Sequence, residues 1–173
     1  MKFLLKHRSW GIRLDFLWLI AILAAAVFLT SMVPLPPNDY WWHLKIGEII
    51  SATGSIPETN MFGWTVPEDQ IFVYGAWLGE YLLYHLYRWG GVELTMFART
   101  LLFGCMLLLC GIEAHRRSES WRLSALVVLL AFMMSTNNLV IRPQNWSWVP
   151  FGLFMILLSG YAAGQYSWKL LLL

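Results

Sequence analysis

The chain has 173 residues, of which 58% are hydrophobic and 13% charged, with a net charge of +2 and a mean hydropathy of +0.57. A soluble domain of this length needs about 25% charged residues to cover its surface, so residues 1–173 read as a single membrane domain. The small net charge gives no electrostatic footprint for nucleic acid. Cys105 and Cys110 share one apolar run, which argues against a disulfide framework or a paired-cysteine metal site and predicts buried free thiols.

Crossing the hydrocarbon core takes about 20 mostly apolar residues in a helix. The first stretch that qualifies is 16–33. Its alanines at 24–26 imitate a cleavage site, but the apolar run continues to Val33, so an uncleaved anchor is expected. Pro34, Leu35, Pro36 and Pro37 then turn the chain out of the membrane into an outer loop, 35–93. The loop takes up about a third of the chain, and loops this long usually carry function or structure of their own. It is acidic (Asp39, Glu48, Glu58, Glu68, Asp69, Glu80, Glu93) and rich in Tyr and Trp, rings that settle at a lipid–water boundary.

Two short helices are expected within the loop. The first, capped by Asn38 or Asp39, runs to about Ala52 with Trp42, Ile46, Ile49 and Ile50 at helical spacing, and Gly54 stops it. Residues 58–75, with Gly63, Pro67 and alternating Ile71 and Val73, predict a turn and a short extended piece. The second helix covers 76–89 and ends at Gly90 and Gly91. Both are too short to cross and read as interfacial.

Three further spans follow at 94–112, 123–141 and 146–164, the last two joined by a tight hairpin at Arg142, Pro143, Gln144 and Asn145. A helix boundary is expected just before Pro143. Trp168 to Leu173 reads as the start of another span. The expected fold is therefore all-α: a polytopic helical membrane protein with four transmembrane helices and a long outer loop containing two interfacial helices. Lys2, Lys6, Arg8, Arg13, Arg116, Arg117, Arg122 and Lys169 fall on one side, against Lys45, Arg88 and Arg142 on the other. That bias predicts cytoplasmic N- and C-termini and, in a bacterium, a multi-pass inner-membrane protein whose loop faces outward.

Asp39 and His43 share a face at i, i+4. Such a pair can act as base and orienting partner or share a metal, although spacing alone favours an N-cap aspartate and an interfacial histidine. Glu48 would lie roughly opposite Asp39. Arg142, at an outer turn, is placed either to meet a phosphate or to anchor a span to headgroups. Arg99 lies inside the second span and is expected to snorkel outward. Glu80 reads as a second acid at the site or as part of a solvated helix face.

The run Asn38-Asp39-Tyr40-Trp41-Trp42-His43-Leu44-Lys45 after a first anchor helix resembles the first outer loop of the GT-C glycosyltransferases, including the opening of the oligosaccharyltransferase catalytic subunit. Gly47-Glu48, Gly54-Ser55-Ile56-Pro57, Phe62-Gly63-Trp64-Thr65, Trp77-Leu78-Gly79-Glu80 and Arg142-Pro143-Gln144 are similar to a bacterial family of GT-C-like membrane proteins. The resemblance covers nearly the whole chain and would make it such an enzyme or its N-terminal part. It implies transfer of a sugar from a polyprenyl-phosphate donor at the outer bilayer surface. Asp39 would be the catalytic base or a ligand of a divalent cation (Mg or Mn), His43 its orienting neighbour, and Arg142 and Glu80 substrate-binding groups. The alternative is a non-catalytic subunit or scaffold that holds partner membrane subunits through its aromatic loop and through Gly152, Ser159, Gly160 and Gly164. A transporter would draw on Ser135, Thr136, Asn137 and Asn138.

Overall fold

The computed structural model of the chain describes residues 14–35, 39–67, 69–167 and 169–170. The expected cap at Asn38, the N-terminal basic residues Lys2, Lys6, Arg8 and Arg13, and most of the expected new span after Ser167 lie outside the described residues. Every long element among them is helical: α1 (Leu14–Ser31), α2 (Tyr40–Thr53), α3 (Trp77–Ser118), α4 (Trp121–Ser135) and α5 (Trp148–Ala162), with 3-10 turns at Thr136–Asn138 and Pro143–Ser147. Of these, α1 and α3 are long and apolar enough to cross a membrane.

The expected loop helices are present. α2 stops where Gly54 takes φ 70° and returns its N–H to the Ile50 carbonyl, the left-handed cap that glycine adopts without a Cβ penalty. Between α2 and α3 an isolated antiparallel bridge joins Thr59 and Ile71, matching the expected turn and extended piece.

The boundaries differ from expectation in several places. The expected span 94–112 continues to Ser118, α1 and α5 are shifted or shortened by about two residues, and three differences are larger. First, the second loop helix and the second span form one 42-residue helix, α3, broken by non-helical geometry at Gly90 and Gly91. Gly91, at φ 63° and ψ −158°, sits where essentially only glycine goes, so the pair bends the chain without releasing it into a loop. Second, α4 ends at Ser135, six residues before the expected 141. Ser135 Oγ and Thr136 Oγ1 donate to the Ala131 and Met133 carbonyls, and such polar side chains compete with the helix ladder. Third, residues 142–145 make no tight hairpin, because the connection from α4 to α5 runs through both 3-10 turns. α4 and α5 have 15 residues each, about 22 Å at the usual rise, short of a core of about 30 Å.

Leu19, Ala26, Phe103, Leu107, Ala125 and Val128 form the core shared by α1, α3 and α4. Contacts at the two ends fix the helix directions. At one end Arg122 Nε donates to Asp15 Oδ1 at 2.6 Å, and Arg117 donates to Ser159 Oγ at 2.9 Å. At the other, Arg99 joins the end of α1 to Leu139, just past the 3-10 turn that follows α4. Hence α1 and α4 run together, and the long arm of α3 runs with α5 in the opposite sense.

Arg99 does not snorkel. It is 1% exposed and donates to the carbonyls of Leu139 at 2.9 Å, Thr30 at 2.7 Å and Val33 at 3.2 Å. Helix ends leave carbonyls without intrahelical partners, and the guanidinium fork meets three of them at once. Cys105 and Cys110 are free but only half-buried, not enclosed as expected.

α2 lies so close to the first arm of α3 that a Cβ on Gly47 would strike the Glu80 carbonyl oxygen and come within 2.7 Å of Tyr84 Cβ. Backbone cannot yield as a flexible side chain can. Gly47→Ala should therefore cost about 1–3 kcal/mol, the range for overpacking, read as a lowered thermal midpoint in detergent. An unchanged midpoint would show that the two helices separate freely.

Candidate functional site

The residues singled out in the sequence meet at one end of the bundle, where α2 packs on the first arm of α3 and against Ile141, just ahead of the turn before α5. α2 presents Tyr40 and Leu44 to Leu83 and Ile141, and Ile46 and Ile50 to Tyr74. Tyr40 Oη lies 3.0 Å from Thr95 Oγ1. Because Thr95 donates to the Val92 carbonyl, its oxygen accepts from Tyr40. Burial pushes the Tyr40 phenol above its usual pKa, with the Thr95 bond acting in the opposite sense.

Two side-chain pairs organise the site. His43 Nδ1 is 2.8 Å from Glu80 Oε1, with side-chain exposures of 10% and 2%. Arg142 Nη2 is 3.1 Å from Asp39 Oδ2, both side chains about half exposed. The four expected residues thus form two pairs, and Asp39 and His43 take separate partners. Asp39 does occupy the N-cap position of α2, but its side chain makes no capping hydrogen bond. Glu48 is turned away, in an exposed pair with Lys45 at 2.8 Å.

Glu80 corrects the expectation of a solvated face: it is 1% exposed, and its Oε2 has no partner among the described residues. Its burial had a signal in the sequence. Leu83, Tyr84 and Tyr87 follow at i+3, i+4 and i+7 and mark an inward face. Trp146 Nε1 donates to the Gly79 carbonyl at 3.1 Å, tying the same turn of α3 to the start of α5.

Arg142 is held by its backbone. It is extended (φ −144°, ψ 158°) before Pro143, as the pre-proline position favours, and its N–H donates to Asn145 Oδ1. Asn145 is 5% exposed, and its amide also donates to the Val140 carbonyl at 3.2 Å. The guanidinium therefore leaves a fixed turn.

Among the described residues no three His, Cys, Asp or Glu side chains converge. Asp39 offers one carboxylate already facing a guanidinium, while His43 is engaged by Glu80. A cavity of about 580 Å³ lies far from these groups, between α3, α4 and α5, with Glu113, Arg117 and Ser118 among otherwise apolar walls.

The fold and site define an all-helical protein with two helices long and apolar enough to cross a membrane, and with a paired acid and base cluster at one end. Comparison with known protein families, curated proteins and solved structures finds no match to the chain.

Proposed function

We propose that the chain acts as a polytopic inner-membrane glycosyltransferase of the GT-C kind, moving a sugar from a polyprenyl-phosphate donor to an acceptor hydroxyl on the outer face. The observation that carries this reading is the Asp39–Arg142 pair, a carboxylate and a guanidinium 3.1 Å apart at one end of the bundle.

The membrane part of the proposal rests on the outward faces of the helices. Trp18, Phe28, Phe97, Leu101, Leu130, Met134 and Phe151 are all exposed, more apolar surface than a water-soluble bundle leaves open. In a bilayer, α4 and α5 would complete four spans, their shortness met by local thinning. The basic residues near Arg116, Arg117 and Arg122 would then lie in the cytoplasm.

In the reaction, the acceptor O–H bond breaks as its proton passes to the Asp39 carboxylate. The acceptor oxygen bonds to the anomeric carbon, and the bond from that carbon to the phosphate oxygen breaks. The lipid phosphate leaves with the electron pair, its charge met by Arg142 in a charge-assisted, bidentate hydrogen bond. In the resting pair the guanidinium engages the carboxylate. An exposed ion pair of this kind is worth only about 0–1 kcal/mol, so an arriving phosphate can take Arg142 and leave Asp39 free to accept a proton. His43 and Glu80 are positioning residues: they hold α2 on α3 and so fix where Asp39 stands.

The test is transfer of labelled sugar by the full-length protein in lipid nanodiscs, using a panel of polyprenyl-phosphate hexoses. Arg142→Gln should raise the donor KM about 10- to 100-fold, the loss of one charged hydrogen-bond partner, and Arg142→Lys should recover part of it. Failure of the unaltered protein to transfer from any donor in the panel would end the proposal.

A further inference from the structure

The cavity of about 580 Å³ between α3, α4 and α5 takes no part in the proposed transfer. Met106 and Leu109 of α3, Val127 of α4 and Phe151 of α5 line it, and Glu113 and Arg117 stand at one end. We infer that it binds one anionic phospholipid of the cytoplasmic leaflet, with an acyl chain in the cavity and the headgroup phosphate on Arg117, an inference that rests on the membrane part of the reading above and not on sugar transfer.

Depth selects a lipid chain over a helix of a partner. Met106 and Arg117 are eleven residues apart on α3, about 16 Å at the usual rise, whereas a hydrocarbon core is about 30 Å thick. The cavity therefore has the depth of one leaflet. It stops at Met106, which also lines the separate cavity beside Arg142. A spanning helix needs a groove of the full thickness, but the chain of one phospholipid needs only half. The walls are open to the side as well: Val127 is 41% exposed and Phe151 63%, so a chain enters from the bilayer without parting the helices.

Charge selects the headgroup. Glu113 accepts from Arg116 at 2.8 Å and from Arg117 at 2.7 Å, so two guanidinia share one carboxylate and the cluster keeps one positive charge. Arg116 is engaged within the protein, by Glu113, by Gln165 Oε1 at 2.6 Å and by the face of Tyr166. Arg117 donates only to Glu113 and Ser159 among the described residues, and its side chain is 67% exposed. A guanidinium carries five N–H donors, so Arg117 has donors left for a phosphate oxygen at the mouth of the cavity. Glu119, the next acid along the chain, is exposed and not on the cavity walls, and Arg122 is held by Asp15. In the proposed orientation this end is cytoplasmic, and basic pockets between spans on that side bind anionic headgroups.

The experiment is native mass spectrometry of the full-length protein, released from detergent after incubation with phosphatidylglycerol or phosphatidylethanolamine. One phosphatidylglycerol should stay bound per chain, at least about fivefold tighter than phosphatidylethanolamine, the weight of one basic side chain at an anionic lipid surface. Arg117→Gln should remove that preference, and Arg117→Lys should keep most of it. Val127→Trp, which fills the cavity from an exposed position and leaves every charge in place, should weaken retention of both lipids. Arg122→Gln makes the same change of charge off the walls and should leave retention as it is. Equal retention of the two lipids by the unaltered protein overturns the inference. So does a Val127→Trp variant that binds like the unaltered protein, or an Arg122→Gln variant that loses as much as Arg117→Gln. Glycerol 3-phosphate, a phosphate ester without chains, should fail to displace the lipid, and displacement at equal concentration overturns the site as a lipid site. If Arg117→Gln fails to fold, Val127→Trp still decides. A protein that retains the lipid but transfers no sugar keeps this site and loses the transferase, and transfer without lipid selectivity does the reverse.

Discussion

Asp39→Asn should lower kcat for sugar transfer by about 10²- to 10⁴-fold, the usual contribution of a positioned general base. The substitution keeps the shape of the side chain and removes only its ability to take the acceptor proton. Its structural cost should be small, because the carboxylate makes no capping bond to α2 and its pair with Arg142 is about half exposed, so that pair contributes at most about 1 kcal/mol. The donor KM should stay level or fall, since Arg142 no longer has a competing anion beside it. The combination of lost kcat, intact midpoint and unraised KM identifies a base. Undiminished kcat would remove Asp39 from the chemistry, and a collapse of the midpoint would make it a structural residue.

Local pattern in the sequence carried the helices of the loop well. The period of Trp42, Ile46, Ile49 and Ile50 and the stop at Gly54 give α2 to within a residue or two, because they depend on neighbours along the chain. The four candidate residues were also visible as residue types. Their pairing was not, since His43 and Glu80 are 37 positions apart and Asp39 meets Arg142 across a turn formed by Pro143 and Asn145. A helical face shared by Asp39 and His43 says nothing about which neighbour each will find on another element.

Long hydrophobic windows misled in a different way. A window across 123–141 averages over Thr136, Asn137 and Asn138 and hides the point at which polar side chains end α4. The same averaging assigns Arg99 to the end of a span, where snorkelling is the default for a charge. What decides its fate is the presence of three carbonyls, two at the end of α1 and one just past the 3-10 turn after α4, which no window over α3 contains.

The largest stability effect is expected at that arginine. Arg99→Leu should destabilise the protein by about 3–5 kcal/mol, the cost of removing one partner from a buried charged contact. Each of the Thr30, Val33 and Leu139 carbonyls would lose its guanidinium donor; Thr30 keeps the Val33 N–H, while a buried acceptor left unmatched costs about 1–3 kcal/mol. Leucine recovers some apolar contact with the core but offers no donor. Arg99→Lys should rescue only part of the loss, because an ammonium is a compact point charge and cannot span three acceptors on two helix ends as a planar fork does. The measurement is equilibrium unfolding in mixed micelles, with cysteine accessibility at Cys105 as a second readout, since that half-buried thiol lies on the same long arm of α3. A loss below about 1 kcal/mol, within the range of an ordinary surface substitution, would mean that the ends of α1 and α4 are held by packing alone. Full rescue by lysine would mean that charge, and not the fork geometry, joins the two helices.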